Sequence, residues 1–388
     1  MNAEDQRLID TAKKAALDVL IHNSKGPFND LPRTAGWGYP EPYTRDLLIS
    51  LFGIATTQNE QLIYSLKTVM LNLASNQSTN GQIPSIVNEP NNLGASDTTP
   101  LFLIGVGIFR KLLKDPDFLK EATDKAVLWL LFQSPSENKL IAQLPTSDWR
   151  DELWVLGYGL FVNTLTYTGF KLLELNEHAA LLKHSFNNDT YSSDLAHTVK
   201  YEGFVIKDKP YFALWSYKIY SSERFDILGN SLAILSGLAT ESRTNDIIEW
   251  VEETCSFMFS KKELGVELSP NFFPYIQPGD EDWLSRYQIY NKPGAYHNGG
   301  IWPFISAFYI AALVAGKRYE LAEAQLITLT HLIKKAKNKK LDFGFNEWYQ
   351  AQNGEPMGQD WQTWSASNYL YAVACVELRS TPYLNTLR

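Results

Sequence analysis

Tyr296-His297-Asn298-Gly299-Gly300-Ile301-Trp302-Pro303 runs straight into Phe304-Ile305-Ser306-Ala307-Phe308-Tyr309-Ile310-Ala311-Ala312-Leu313-Val314-Ala315. The second stretch is apolar around its whole circumference, so as a helix it must be buried. Pro303 suits a first helical turn, where its missing N–H costs nothing. The first stretch is a loop in which Tyr296 and Trp302 offer flat apolar faces. His297 and Asn298 offer directional hydrogen-bonding groups, and two glycines open backbone angles closed to other residues. A polar, aromatic loop thus sits at the mouth of a buried helix.

The same arrangement recurs along the chain. Apolar residues return at three- and four-residue spacing in roughly twelve segments, about 4–22, 44–57, 60–76, 99–114, 116–133, 154–176, 178–185, 226–240, 244–260, 303–316, 318–337 and 364–379. Asp115-Pro116 with Glu121 reads as a helix start, and Gly316-Lys317 as a stop followed by a new helix. Residues 199–220 are the one plausible extended hairpin. The connections alternate: 23–43, 77–98, 134–153, 261–302 and 338–363 are long and hold most of the Trp, Tyr, Asp and Glu, whereas 58–59, 115, 241–243 and 316–317 are short. In a closed ring of helical hairpins, long loops at one end build a single concave site and short turns close the other. The fold expected is therefore all-α, an (α/α)6 barrel of six hairpins. An open solenoid would need a fixed-period repeat, which is absent. With no Ser/Gly- or Pro-rich linker, residues 1–388 are expected to form one catalytic domain.

Composition narrows the function. The 388 residues include 11 Trp, 20 Tyr and 20 Phe and carry a net charge of −8. Apart from Lys334 to Lys340 the lysines are scattered, so a nucleic-acid partner is disfavoured. That cluster suits the C-terminal end of a helix, facing solvent. Cys255 and Cys375 each sit in an apolar helical pattern and read as small buried hydrophobes. No stretch reaches the roughly 18 apolar residues of a membrane span, and the charged first residues lack a signal-peptide core. A cytoplasmic protein with no membrane partner is the expectation. His297 stands apart from other histidines, no Cys pair has ligand spacing, and neither a P-loop nor a dinucleotide or serine-nucleophile motif occurs, so no metal and no cofactor is expected.

The long loops instead carry carboxylates flanked by aromatics. Trp37, Tyr43, Arg45 and Asp46 lie in or just after the first, and Asp97 precedes its helix. Asp148-Trp149-Arg150-Asp151-Glu152 brackets a Trp with acids, Asn346-Glu347-Trp348-Tyr349 sets one Glu among aromatics, and Gln362-Thr363-Trp364 opens the last helix. An Asp in a first turn is also simply favourable to the helix dipole, and a cap explains one acid but not a cluster. Aromatic platforms beside carboxylates and amides are what a sugar site needs. Glycoside hydrolysis further requires two carboxyl groups, roughly 5 Å apart when one is a nucleophile and 6.5–9.5 Å when it activates water. A small carbohydrate is the expected partner.

Tyr296-His297-Asn298-Gly299-Gly300-x-Trp302-Pro303, Arg224-Phe225-x-x-Leu228-Gly229-Asn230 with Leu235-Ser236-x-Leu238-Ala239-Thr240, and Gln362-Thr363-Trp364-Ser365 resemble the neutral/alkaline invertases, glycoside hydrolase family 100, in the same order along the chain. Weaker likeness extends to Arg45-Asp46, Asp97-Thr98-Thr99 and Glu281-Asp282-Trp283. The first and third motifs are also similar to those of amylo-α-1,6-glucosidases and family 63 α-glucosidases. The resemblance implies an inverting glycosidase on sucrose or a small α-glucoside, with an Asp before the mid-chain helix as general acid and a C-terminal Glu as general base. Asn346-Glu347-Trp348-Tyr349 matches the family's Pro-Glu-Tyr-Tyr, which gives Glu347 the base role. Where the family has Asp-Arg-Arg-Met-Gly this chain has Asp148-Trp149-Arg150-Asp151-Glu152; the Trp-x-Asp spacing of the debranching relatives selects Asp151 over Asp148 as acid. Pro-Ile-Glu-Ile-Gln becomes Gly159-Leu160-Phe161-Val162-Asn163, so a polar contact of the family is lost. Substrate binding is assigned to Trp37, Tyr43, Arg45, Asp46, Asp97, Asp148, Trp149, Arg224, Tyr296, His297, Asn298, Trp302, Trp348, Gln362 and Trp364. The alternatives are a debranching-type α-1,6-glucosidase, a non-catalytic carbohydrate-binding barrel, and an epimerase, which would need a second histidine beside His297.

Overall fold

In the computed structural model, which describes residues 2–135, 139–190, 202–218 and 220–387, six helices whose side chains are almost all buried stand in a ring. The described residues form thirteen helices: α1 (Ala3–Asn23), α2 (Thr44–Ile49), α3 (Leu51–Thr57), α4 (Glu60–Ser75), α5 (Thr98–Leu113), α6 (Lys120–Phe132), α7 (Leu160–Leu172), α8 (Asn176–Phe186), α9 (Ile227–Ser236), α10 (Glu241–Ser260), α11 (Pro303–Ala315), α12 (Tyr319–Ile333) and α13 (Thr363–Leu378). α2 and α3 are one helix interrupted at Ser50, whose hydroxyl donates to the Asp46 carbonyl at 2.6 Å. A side chain that hydrogen-bonds the preceding turn bends a helix there.

The inner ring runs α2/α3, α5, α7, α9, α11, α13 and closes as α13 packs back on α3. Every residue of α9 and α11 is buried, as all-round apolarity demands. The other six helices bury one stripe each and stay polar outside, as in α4, where only Leu62, Leu66, Val69, Met70 and Leu73 are buried. Close approach is secured by Gly53 in α3, where a Cβ would lie 1.8 Å from the Ser367 carbonyl of α13. The architecture is the expected (α/α)6 barrel, one hairpin per inner helix, and Cys255 and Cys375 are both free.

Each outer helix reaches the next inner one by a long loop, and each inner helix turns outward within a few residues. All six long loops therefore gather at the N-terminal ends of the inner helices. The connection between α8 and α9 is the sixth of the set; it holds the hairpin over 215–222 and Arg224-Phe225, and its residues 191–201 lie outside the described residues.

Several boundaries differ from the periodicity. Residues 154–159 are not helical: Gly157–Gly159 is a strand between Ala142–Gln143 and Trp215–Tyr217, and α7 begins only at Leu160. Burial of both faces of this short strand mimics helical apolarity, and Gly157 at φ +66° is suited to the break. Helix α6 starts at Lys120, with 115–119 as a turn, and α12 ends at Ile333, leaving the lysine cluster exposed beyond its end. The hairpin lies at the end of the expected range, Trp215–Tyr217 against Tyr220–Ser222, while Val205 bridges Phe212; residues 199–201 and 219 lie outside the described residues.

Candidate active site

Six helix N-termini meeting at one end create a region of positive potential, since each leaves backbone N–H groups unpaired. Carboxylates are favoured there, and the chain supplies them. Asp46 lies in the first turn of α2, Asp97 is the residue before α5, and Asp226 caps α9, accepting the Leu228 N–H at 3.1 Å. Tyr43, Gly159, Trp302 and Gln362 occupy the same position before α2, α7, α11 and α13.

These acids divide into two sets. Asp97 and Asp148 are fully buried and paired. Arg45 grips Asp97 through Nε at 2.5 Å and a second nitrogen at 3.2 Å. Arg150, 1 % exposed, joins Asp148 at 2.9 Å to Asp226 at 2.9 Å. Burial alone would raise the Asp148 pKa, but the Arg150 charge and hydrogen bonds from Arg150 and Gln143 outweigh it and hold the group below the usual range. Enclosed at 0 % exposure and bound to Arg150, Asp148 has no open face to offer a substrate.

Asp46, Asp151 and Glu347 form the second set, and they lie near enough to oppose one another's ionisation. Burial raises the Asp46 pKa to about 7, partly countered by Arg45 and reinforced by Glu347 and Asp151. Burial likewise raises Glu347 to about 7, with the Gln359 N–H opposing and Asp151 reinforcing the shift. That N–H donates to Glu347 Oε2 at 3.3 Å, and the backbone of Glu347 donates to the Gln359 carbonyl at 3.0 Å. Asp151 keeps 62 % of its side-chain surface open, yet surrounding protein still raises its pKa against the pull of Arg45. Tyr39 faces this trio: Glu347 first, then burial, pushes its hydroxyl up to about 12.

An aromatic wall stands beside the trio. Tyr296 stacks on His297 at 3.9 Å between ring centres, His297 on Trp302 at 5.6 Å, and Trp348 flanks Tyr296 at 5.8 Å. Trp149 meets the edges of His297, Trp302 and Phe304. His297 Nε2 lies 3.9 Å from Asp151 Oδ1, and burial with the nearby Arg150 charge keeps the imidazole neutral. Trp37, 54 % exposed, packs at a tilt against Trp361 at the rim, 5.1 Å between ring centres, and the adjacent Gly38 lies against Gln359. Gly358 has φ +65°, and a Cβ there would come within 2.2 Å of Glu347 Oε2.

The residues expected from the sequence thus occupy different layers. Trp37, Tyr43, Arg45, Asp46, Asp151, Tyr296, Glu347 and Trp348 surround the carboxylate trio or its rim. Asp97, Asp148, Trp149, Trp302, Gln362 and Trp364 are buried beneath it. Asn298 is a fastener: its side chain takes the Ile276 N–H at 2.8 Å and donates to the carbonyls of Ile276 and Asn291 at 2.9 Å each. Arg224 is not brought to the trio. All five of its N–H groups are engaged, by Asp280, by both oxygens of Asp282 and by the Pro274 and Tyr275 carbonyls. Tyr39, Arg150, Asp226 and Gln359 are not among the site residues the sequence points to. Tyr39 carries a signal as an aromatic between Gly38 and Pro40, and Arg150 as a cation between two acids; Gln359 carries no local signal.

Residues 216–378 match the family described as alkaline and neutral invertase. Cytosolic invertase 1 of Oryza sativa subsp. japonica is 29% identical over 157 residues, covering 40% of this chain and 26% of that protein. Probable alkaline/neutral invertase D of Arabidopsis thaliana is also 29% identical over 157 residues, 40% of this chain and 27% of its own. The chain thus spans about a quarter of the length of these curated relatives. Among solved structures, one described as a wild-type glycosidase superposes with a TM-score of 0.65 at 15% identity, covering 97% of this chain and 99% of its own. The GH63 mannosylglycerate hydrolase of Thermus thermophilus, with Tris and D-glycerate, gives 0.63 at 14% identity over 92% and 99%. No described helix is long and apolar enough to cross a membrane. The chain has the (α/α)6-barrel fold of these glycosidase structures, and its segment 216–378 is similar to the alkaline and neutral invertases.

Proposed function

We propose that this protein is an inverting glycoside hydrolase acting on sucrose or a small α-glucoside, with Asp151 as general acid and Glu347 as general base. The observation that carries the reading is the trio of mutually opposed carboxyls set against an aromatic wall at the open end of the barrel. Asp151 is the member whose side chain stands open, so a glycosidic oxygen can reach it, and burial of its surroundings raises its pKa, the direction an acid needs. Its proton passes to that oxygen as the C1–O bond breaks, and the bonding pair leaves with the alcohol. Water attacks C1 from the opposite face while Glu347 accepts its proton. With a pKa of about 7, Glu347 is ionised in about half the molecules at neutral pH, which suits a base. Glu347 also falls inside the segment that matches the invertase family, whereas Asp151 lies upstream of it. Asp46 and Arg45 offer hydroxyl-binding groups, and Tyr296 and Trp348 an apolar face for the ring.

The test is hydrolysis of a panel containing sucrose, isomaltose and mannosylglycerate, with the product anomer followed by NMR from the first turnover. Inversion is expected, and Asp151→Asn and Glu347→Gln should each lower kcat roughly 10²–10⁴-fold. Retention of configuration, or full activity in Glu347→Gln, refutes the assignment; cleavage of isomaltose in preference to sucrose moves it to the debranching-type specificity.

A further inference from the structure

We propose that the open cleft on the far side of the acid loop holds the leaving-group portion of an uncharged oligosaccharide, so that the substrate extends beyond the bond that is cut. This rests on the reading of Asp151 as general acid. The cleft has a volume of about 940 Å³ and is lined by Trp154, Trp215, Tyr220, Arg224 and the acidic run Asp280 to Asp282, among others.

Position is the first argument. A general acid stands on the leaving-group side of the glycosidic bond. Trp154 is three residues beyond Asp151, and the loop that carries both is tied to the segment 286–291, whose Tyr287 lines the cleft. The Trp154 N–H donates to Tyr287 Oη at 2.9 Å, Asn291 Nδ2 donates to the Glu152 carbonyl at 2.7 Å, and Arg286 pairs with Glu152. Acid and cleft therefore belong to one braced unit.

Construction is the second. The floor is a separate apolar cluster of Leu153, Val155, Leu214, Phe272, Ile276 and Tyr287, distinct from the core of the barrel. The wall at 274–282 is held by the five bonds of Arg224, a positioning residue. Such bracing gives a preformed site, which lowers the entropic cost of binding.

Chemistry is the third. Trp154 is 50 % exposed and Tyr220 68 % exposed on the lining of the same cleft, with Trp215 half-buried between floor and rim. Flat aromatic faces presented to water in one concavity match the apolar C–H faces of pyranose rings. The charged lining consists of Lys209, Arg224, Glu223, Asp280, Glu281 and Asp282, two cations against four anions, and both cations are already ion-paired. An anionic ligand is repelled, and an uncharged, hydroxyl-rich one finds a carboxylate acceptor on Glu281.

The experiment compares kcat/KM for α-1,4- and α-1,6-linked gluco-oligosaccharides with leaving groups of one, two and three sugar residues. For the wild-type protein kcat/KM should rise on the order of 10-fold from the shortest to the longest, and Trp154→Ala and Tyr220→Ala, on separate segments of the lining, should each bring that ratio towards one. A flat series, or a ratio unmoved by both variants while the disaccharide is still cleaved, overturns the cleft assignment and leaves the hydrolase reading standing. Should no glycoside be cleaved, calorimetric titration with maltotetraose and isomaltotetraose reads the cleft alone. Binding that weakens at least several-fold in Tyr220→Ala supports it, and no binding, or binding indifferent to both variants, overturns it.

Discussion

Replacing Glu347 by Gln should lower kcat roughly 10²–10⁴-fold and at the same time make the protein more stable, chiefly at neutral and alkaline pH. In the folded chain the carboxyl titrates near 7, against 4.5 for the same group in the open. Between those values the native state holds a proton that the unfolded chain has released, so stability falls as pH rises through the window and the full loss is present above about 7. At 1.36 kcal/mol for each tenfold change in proton affinity, the penalty is about 3 kcal/mol at pH 8 and under about 1 kcal/mol at pH 5. Gln keeps the shape and an oxygen for the Gln359 N–H, which now lies 3.3 Å from Oε2, but carries no titrating proton. Removing the charge also relieves Asp46, which Glu347 helps to raise. Urea unfolding of both proteins at pH 5 and pH 8 measures the difference directly. The expected result is a gain in Glu347→Gln roughly 2 kcal/mol larger at pH 8 than at pH 5. An equal gain at both pH values, or a loss at pH 8, would show that Glu347 is ionised without penalty and would remove the physical basis of its role as a tuned base.

Arg150→Met should cost about 3–5 kcal/mol in the same assay, because it leaves Asp148 and Asp226 buried and uncompensated; adding Asp148→Asn and Asp226→Asn should restore part of the loss, and an additive further loss would contradict the pairing. Gly358→Ala should lower kcat about 100-fold, since its Cβ would force the Glu347 carboxylate out of place, with circular dichroism showing the helical fold retained. An active Gly358→Ala variant would mean that this carboxylate is not held where the chemistry needs it.

The helices and the ring were legible because their signal is local. A segment such as Phe304 to Ala315, apolar on every side, has no stable place except inside, and the alternation of long and short connections puts the polar residues at one end. The strand at Gly157–Gly159 was not legible, because burial on both faces erases the period that separates strand from helix. The loops announced acids and aromatics as a class. They could not rank them: Asp148 and Asp151 are three residues apart, and one is sealed under Arg150 while the other stands open beside His297.

By itself, then, the sequence determined an all-helical closed ring and a loop face rich in carboxylates and aromatic rings, because apolar periodicity and residue type act over a few neighbours. Only the tertiary structure decided which acids are scaffold and which can titrate. Arg150 is neutralised by Asp226 as well as by Asp148, Arg45 by Asp97 across 52 positions, and Asp46 and Glu347 oppose each other from opposite ends of the chain. Burial and charge pairing depend on distance in space, and the closing of the ring is what sets those distances.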